Sequence, residues 1–417
     1  MEVYKFGGAS VKDSESVKNV AEILKNKENN LLIVISAMAK TTNQLEILCK
    51  SFINQDDKTQ VIFEEIKHWH LSLLNELIPN QNNQVYEQIE NLFVELDWIL
   101  EEQPHDDHDF VYDQIVSFGE LFSTCIVAAY LIETKIPCVW QDARNFIKTD
   151  NSYREAKIEW EETQSEINKL KILLENKIVL TQGFIGGTSE NYTSTLGREG
   201  SDYSAAIFAN CLNAKSMTIW KDVDGVLTAD PKFFPNATLI EKLSYSEAIE
   251  MTYFGATVIH PKTIKPLQNK NIPLFVKPFL KPNQTGTYVG IVEKEIFYLP
   301  CIIIKQNQIL LSISSFDLSF IAEEHLHEIF GLFAKNQVKI NLMQNAALSF
   351  SVCFDHNPVK TERLLNSVKQ RFSIRYNENL QLVTIRHYND QFIQDLIGDK
   401  KVYLEQRSRT TVQLLTK

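Results

Sequence analysis

The sequence is sparing with glycine, at 14 in 417 residues, and it lacks several features that would settle its class at once. None of its six cysteines forms a CxxC pair. That argues against a thiolate metal site and for buried thiols in a reducing compartment. No Lys/Arg block stands out against a net charge of −11, from 53 acidic and 42 basic residues. A nucleic-acid binder needs a basic footprint, so no nucleic-acid partner is expected. An anionic small molecule is still admissible, because local cations and backbone amides decide its binding. The longest apolar runs, Leu31 to Met38 and Cys125 to Ile132, are too short to cross a bilayer. No basic and then apolar leader opens the chain, which runs MEVYKFGGAS into a first strand. The expectation is a cytoplasmic protein with no membrane partner.

What is present alternates. Up to about residue 295, short apolar runs such as Glu2 to Phe6, Leu31 to Ala37 and Ile178 to Thr181 are separated by stretches of helical spacing. Val17, Val20, Ala21 and Leu24 are one such face, and residues 57 to 101 read as two helices broken at Pro79. QPHDDHD (103–109) reads as a loop, with a helix from about Gly119. This alternation predicts an α/β fold, a mostly parallel sheet with helices on both faces. Beyond residue 295 the order becomes βαββαβ, a compact α+β unit over 296–378. Residues 379–417 supply a short helix (Asp390 to Ile397) and strand-like pieces, a truncated second unit.

Four segments carry the chemistry. In KFGGAS (5–10), Gly7 and Gly8 let the backbone approach an anion, Ser10 follows, and Lys5 can offset charge on a transferring phosphoryl group. A plain strand-to-helix turn would also account for the two glycines. In SFGELFS (117–123), Glu120 opens an otherwise apolar helix, as a capping group or as a ligand. TQGFIGGTSENYTSTLGREGSDYSAA (181–206) joins a strand to a helix through a long loop with five glycines. Arg198 is its one guanidinium, suited to gripping a carboxylate through two parallel bonds. Ser201 and Asp202 occupy what reads as the N-cap position. In IWKDVDGVLTADPK (219–232), Lys221, Asp222 and Lys232 are groups that nucleotide phosphates and Mg²⁺ can use, while Asp224-Gly225 is also an ordinary turn.

Taken in order, these segments and FGATVIHP (254–261) resemble the aspartate kinases of the amino acid kinase superfamily, over nearly the whole chain. The resemblance implies an αβα sandwich followed by an ACT-like region with a degenerate second unit. It implies transfer of the γ-phosphoryl group of ATP, with Mg²⁺, to the β-carboxylate of L-aspartate. That is the first step of the lysine, threonine and methionine (diaminopimelate) pathway. Residue by residue, Lys5 would stabilise the transferring group, Arg198 would hold the α-carboxylate and Glu120 the α-ammonium. Thr42, Phe184, Ser201 and Asp202 would complete the acceptor pocket, and residues 220–225 would face the nucleotide. A β-carboxylate with a pKa of about 4 is ionised at neutral pH, so no general base is required. No resident metal site is expected either. A homodimer through the ACT-like region is expected by the same analogy.

The chain departs from the pattern at several places. Ala9 stands where relatives carry Thr, and Leu227 where an aromatic residue commonly meets the base. Lys221 and Thr257 exchange the Thr and Lys of relatives, so Lys221 is expected to reach the phosphates in place of Thr257. In lysine-inhibited relatives an Asp and a Thr-Ser-Glu run take part in effector binding. Here those positions are Asn341 and Gln344-Asn345-Ala346, and FIAEEHLH (320–327) has no glycine, so lysine inhibition is expected to be weak or absent. A glutamate-type kinase of the same superfamily, or an amino-acid-binding regulator without activity, are the competing readings. Lys5, Glu120, Arg198 and Asp202 together speak against the second.

Overall fold

A computed structural model describes every residue except 257–258, 293–297 and 318. The chain divides into two compact units. One comprises Met1–Val226, Leu239–Ile249 and Val258–Glu293, the other Leu227–Thr238, Glu250–Thr257 and Lys294–Lys417. Two short segments ahead of residue 295 therefore pack with the C-terminal part of the chain.

Among the described residues eleven strands precede residue 291: β1 (Glu2–Phe6), β2 (Leu31–Ile35), β3 (Cys138–Trp140), β4 (Lys148–Thr149), β5 (Ile178–Gln182), β6 (Ile185–Thr188), β7 (Thr193–Thr195), β8 (Ser216–Lys221), β9 (Lys242–Ser244), β10 (Leu274–Pro278) and β11 (Thr287–Gly290). Eight of them form one sheet in the order β3-β5-β2-β1-β8-β10-β11-β9. All neighbours are parallel except β10 against β11. Over the same stretch the helices are α1 (Ser14–Leu24), α2 (Thr41–Ile53), α3 (Thr59–Leu77), α4 (Val85–Glu101), α5 (His108–Val116), α6 (Phe118–Glu133), α7 (Trp160–Asn168), α8 (Leu170–Leu174), α9 (Gly200–Cys211), α10 (Tyr245–Phe254) and α11 (Pro261–Asn269). The strand LLIVI of β2 is buried at every position, as a parallel strand covered on both faces must be. In α1, Val17, Val20, Ala21 and Leu24 face the core, and Asp13 caps the helix by accepting from the Ser16 amide at 2.8 Å.

Two features escape the sequence reading. His108 already begins α5, capped by Asp107, so α5 and α6 make one helical stretch of 26 residues. It is long and apolar enough to cross a membrane, yet 83% of its most apolar 18-residue window is buried inside the protein, which makes it a core helix. The long glycine loop is also partly ordered: β6 and β7 pair antiparallel, with β4 alongside, as a separate three-stranded sheet. Gly186 and Gly187 serve that packing. A Cβ on either would come within 2.9 and 2.5 Å of the Ile147 and Arg144 carbonyls.

The C-terminal unit contains β12 (Cys301–Ser314), α12 (Glu323–Lys335), β13 (Ile340–Asn345), β14 (Phe350–Asp355), α13 (Pro358–Lys369), β15 (Ser373–Arg386), α14 (Asp390–Ile397), β16 (Val402–Arg407) and β17 (Thr411–Thr416). They make one sheet, β13-β14-β12-β15-β17-β16. The sequence reading sees only the second halves of the long strands β12 and β15. Lys305-Gln306-Asn307 and Asn377-Glu378-Asn379 break the apolar pattern there, and the register shifts between Lys305 and Gln308. The second half of β12, α12, β13, β14, α13 and the first half of β15 form a βαββαβ unit, closed by the half of β15 that the sequence reading misses rather than by Leu380 to His387. The second half of β15, α14, β16 and β17 form the next, and Cys301–Lys305 supplies its fourth strand. Its core joins Ile302, Val383, Ile385, Ile393 and Val412. The region read as truncated thus borrows a strand from upstream and, among the described residues, lacks only a second helix.

Candidate active site

The chain leaves β1 toward β2 and returns from β5 through α9 to β8 on the other side of β1. The strand order reverses there, and ligands of open α/β sheets bind beyond the strand ends at such a point. Lys5 is next to last in β1, Ser36 and Ala37 follow β2, Gly183 and Phe184 follow β5, and Lys221 ends β8. Gly183 is required by close packing, because a Cβ there would sit 2.5 Å from that of Ser201.

Asp202, in the first turn of α9, is the electrostatic centre. Its carboxylate has no exposed surface, with Lys5 Nζ 2.6 Å from Oδ1 and Lys221 Nζ 3.4 Å from Oδ2. Neither oxygen has a well-aligned hydrogen bond, so these contacts act as ion pairs. Burial pushes the carboxyl pKa up, but the two ammonium groups outweigh it and hold it below the ordinary range. Asp202 and Ser201 are not the N-cap. That place is taken by Glu199, in the left-handed region at φ 57°, and no side chain caps the helix. An uncapped helix start favours an anion.

Glu120 does not cap α6 either. Its Oε1 accepts from the Ala37 amide at 3.3 Å, while Oε2, fully buried, has no partner. Burial raises its pKa to about 8 in spite of that hydrogen bond and of Lys5. A buried carboxylate with an unpaired oxygen is costly, and a cation beside it removes the cost.

These groups line a cavity of about 520 Å³. Lys5, Thr42, Glu120, Phe184, Arg198, Ser201 and Asp202, all singled out from sequence, meet there. Ser36, Glu46, Tyr112, Arg154 and Glu155 line it too and carry no motif. Ser36 comes from just past the end of β2 and the others from helix faces and a polar loop, and nothing in the spacing marks them. Of the five loop glycines only Gly197 and Gly200 reach the cavity. Phe184 and Arg154, each with φ 67°, join Glu199 as left-handed residues on its wall.

The residues read as nucleotide-binding are less concentrated. Gly7 lies against Lys5, and a Cβ on Gly8 would strike the Ala37 carbonyl at 2.7 Å. Ser10 donates to the Trp220 carbonyl at 3.5 Å. Asp222 is exposed at the end of β8. Leu227 and Lys232 belong to the other compact unit, and Thr257 lies outside the described residues. Among the described residues no group of three His, Cys, Asp or Glu side chains is arranged to hold a metal.

The sequence matches the amino acid kinase family over residues 1–278. It is 30% identical over 392 residues to the lysine-sensitive aspartokinase 3 of Escherichia coli, covering 92% of this chain and 86% of that one. It is also 30% identical over 392 residues to the chloroplastic bifunctional aspartokinase/homoserine dehydrogenase 2 of Arabidopsis thaliana, of which it spans 42%. Among solved structures, E. coli aspartokinase III with aspartate and ADP superposes with a TM-score of 0.82 at 27% identity, covering all of this chain and 96% of that one. The same enzyme with lysine and aspartate superposes with a TM-score of 0.85 at 28% identity, covering all of this chain and 95% of that one.

Proposed function

The chain belongs to the amino acid kinase family, in its aspartokinase branch, and on that premise we propose that it converts ATP and L-aspartate to ADP and 4-phospho-L-aspartate. The observation that carries this reading is the partnerless, buried Oε2 of Glu120 in the same cavity as Lys5 and Arg198. A zwitterionic acceptor supplies the missing cation. Its α-carboxylate suits the Arg198 fork, and its β-carboxylate reaches toward Lys5 and the start of α9.

The chemistry needs alignment more than proton transfer. One β-carboxylate oxygen bonds to the γ-phosphorus, the bond to the β,γ-bridging oxygen breaks, and ADP leaves with that electron pair. No proton moves at the acceptor. Two anions must be brought together, so cations and amide dipoles that strengthen their hold as charge redistributes do the catalysis. Asp202 keeps the Lys5 ammonium at the strand end. Mg²⁺ would enter as part of the Mg·ATP substrate, held by its phosphates and waters rather than by a dedicated protein cage.

In this reading residues 1–295 carry catalysis, and 296–378 with 379–417 carry regulation and a homodimer contact. The open edge of β13, with Met343 half-exposed, is the surface offered to a second copy. The enzyme works in the cytoplasm. The test is ADP release and hydroxylamine trapping of the acyl phosphate, with aspartate, glutamate and N-acetylglutamate each supplied with Mg·ATP. Turnover with aspartate alone supports the reading. Turnover with glutamate alone, or with none of them, overturns it.

A further inference from the structure

Arg154 belongs to none of the motifs, yet the fold takes trouble to place it. The loop around it is closed at its neck by two bonds: the Asp150 amide to the Lys157 carbonyl, and the Lys157 amide to Asp150 Oδ1, both at 3.0 Å. At the tip, Arg154 adopts φ 67°, a conformation that non-glycine residues seldom hold and that clusters at functional sites. Buried Asp113 fixes it there, accepting from the Arg154 amide at 3.0 Å and from the Thr195 amide and hydroxyl at 2.7 Å. The Ala156 amide donates to the Thr195 carbonyl at 3.0 Å. The loop is thus tied to α5 and to β7, the strand that leads into Arg198.

The side chain lies over the Tyr112 ring, 4.0 Å from its centroid, and the Tyr112 hydroxyl donates to Glu46 Oε1 at 2.7 Å. Stacking of this kind presents a guanidinium edge-on with its donors outward. Its ion pair with Asp109, at 3.3 Å, joins side chains 50% and 60% exposed, where solvent screening makes exchange easy. Its carbonyl lies 3.0 Å from where a Cβ on Gly197 would stand, so Arg154 backs directly on the residue before Arg198.

The cavity therefore has two guanidinium groups on its wall, besides Lys5 and Glu120. The acceptor's β-carboxylate must keep an oxygen free for phosphorus, whereas its α-carboxylate has lone pairs enough for two forks. We propose that Arg154 is a second carboxylate-binding residue of the acceptor pocket, sharing the aspartate α-carboxylate with Arg198 and selecting for acceptors that carry it. The proposal rests on the aspartokinase reading.

Arg154→Gln and Arg154→Lys are compared with wild type on L-aspartate and on its α-amide, which keeps the ammonium and β-carboxylate but not the α-carboxylate. Both variants should raise the KM for aspartate about tenfold or more, because Lys has neither the fork nor the flat stacking face. The KM for ATP and kcat should stay within about twofold, and kcat/KM for the α-amide should be the same in all three proteins. An unchanged aspartate KM in either variant overturns the proposal. So does an equal loss on both acceptors, which marks a structural role. A wild type inactive on aspartate overturns the aspartokinase reading instead. Calorimetric titration with aspartate then judges Arg154 by itself, since equal affinity of wild type and Arg154→Gln, or no binding to either, removes it.

Discussion

Lys5 and Lys221, at the ends of adjacent parallel strands, grip opposite oxygens of the same buried carboxylate. Asp202 thereby fixes the separation of two ammonium groups at the mouth of the strand crevice, and the pair with their aspartate leave one net positive charge for an incoming phosphoryl group.

Truncation of Lys5 to Ala should lower kcat by several orders of magnitude with little change in either KM, as expected of a group whose interaction strengthens in the transition state. Retention of more than about a tenth of turnover, roughly 1.4 kcal/mol of barrier, would show that Lys5 is structural. The structure adds a stability cost that the sequence alone does not suggest. Removing one partner of a buried ion pair costs about 3–5 kcal/mol, and the remaining Lys221 should keep the loss at or below that range in a denaturant titration.

Lys221→Thr should raise the KM for ATP and lower kcat/KM by about tenfold or more, since Asp202 then neutralises Lys5 alone. Adding Thr257→Lys should restore part of the loss if charge can be returned from that position, where the family resemblance leads one to expect it. Steady-state kinetics of the single and double variants decide this, and an unchanged ATP dependence in the single variant counts against any role of Lys221.

Glu120 makes a prediction with a sign. Its carboxyl titrates near 8 in the folded protein, chiefly through burial, against an ordinary 4.5. Between these values the folded state keeps a proton that the unfolded state has lost. Stability therefore falls as pH rises from about 4.5 to about 8 and levels off above. Glu120→Gln should remove this penalty, so its Tm should exceed that of wild type by more at pH 8.5 than at pH 5. The same variant should bind aspartate poorly. In wild type kcat/KM for aspartate should climb with pH up to about 8, because only the ionised carboxylate attracts an ammonium. A Tm difference independent of pH would mean that Glu120 is already ionised in the free enzyme.

Lysine should inhibit weakly or not at all. Asn341 stands where lysine-inhibited relatives are expected to have Asp, and both ends of its amide are already engaged. It accepts from Lys305 Nζ and donates to Gln308 Oε1, each at 2.8 Å. Asn341→Asp should consequently pair with Lys305 instead of creating sensitivity. Inhibition assays with lysine, threonine and methionine test this, and half-inhibition by lysine below about millimolar concentration, a free energy beyond roughly −4 kcal/mol, would contradict it.

The pocket was legible where its residues act at strand ends and helix starts, because glycines and polar residues interrupt apolar runs there. Lys5, Glu120, Arg198 and Asp202 all announce themselves in this way. Arg154 and Tyr112 do not, since a loop tip and a helix face acquire their meaning only when Asp113 ties α5 to β7. The N-cap assignment of Ser201-Asp202 failed by two residues because Glu199 takes up a left-handed backbone that its side chain does not advertise. In the C-terminal unit the polar tripeptides of β12 and β15 mimic turns, although pairing across the sheet carries both strands through them.

The borrowed strand also sets an order of events at the ribosome. Cys301–Lys305 pairs with Leu382–Arg386, and the latter with β17, so the segment's partners emerge roughly 80 residues after it does. At about 5–20 residues per second, Ile302, Ile303 and Ile304 wait on the order of 4–16 s without their sheet neighbours. The intervening βαββαβ unit, whose strand contacts close on themselves, can assemble during that delay. Synthesis thus leaves a sticky apolar edge uncovered until Leu382–Arg386 arrives, and a chain halted before it would be a ready substrate for chaperones.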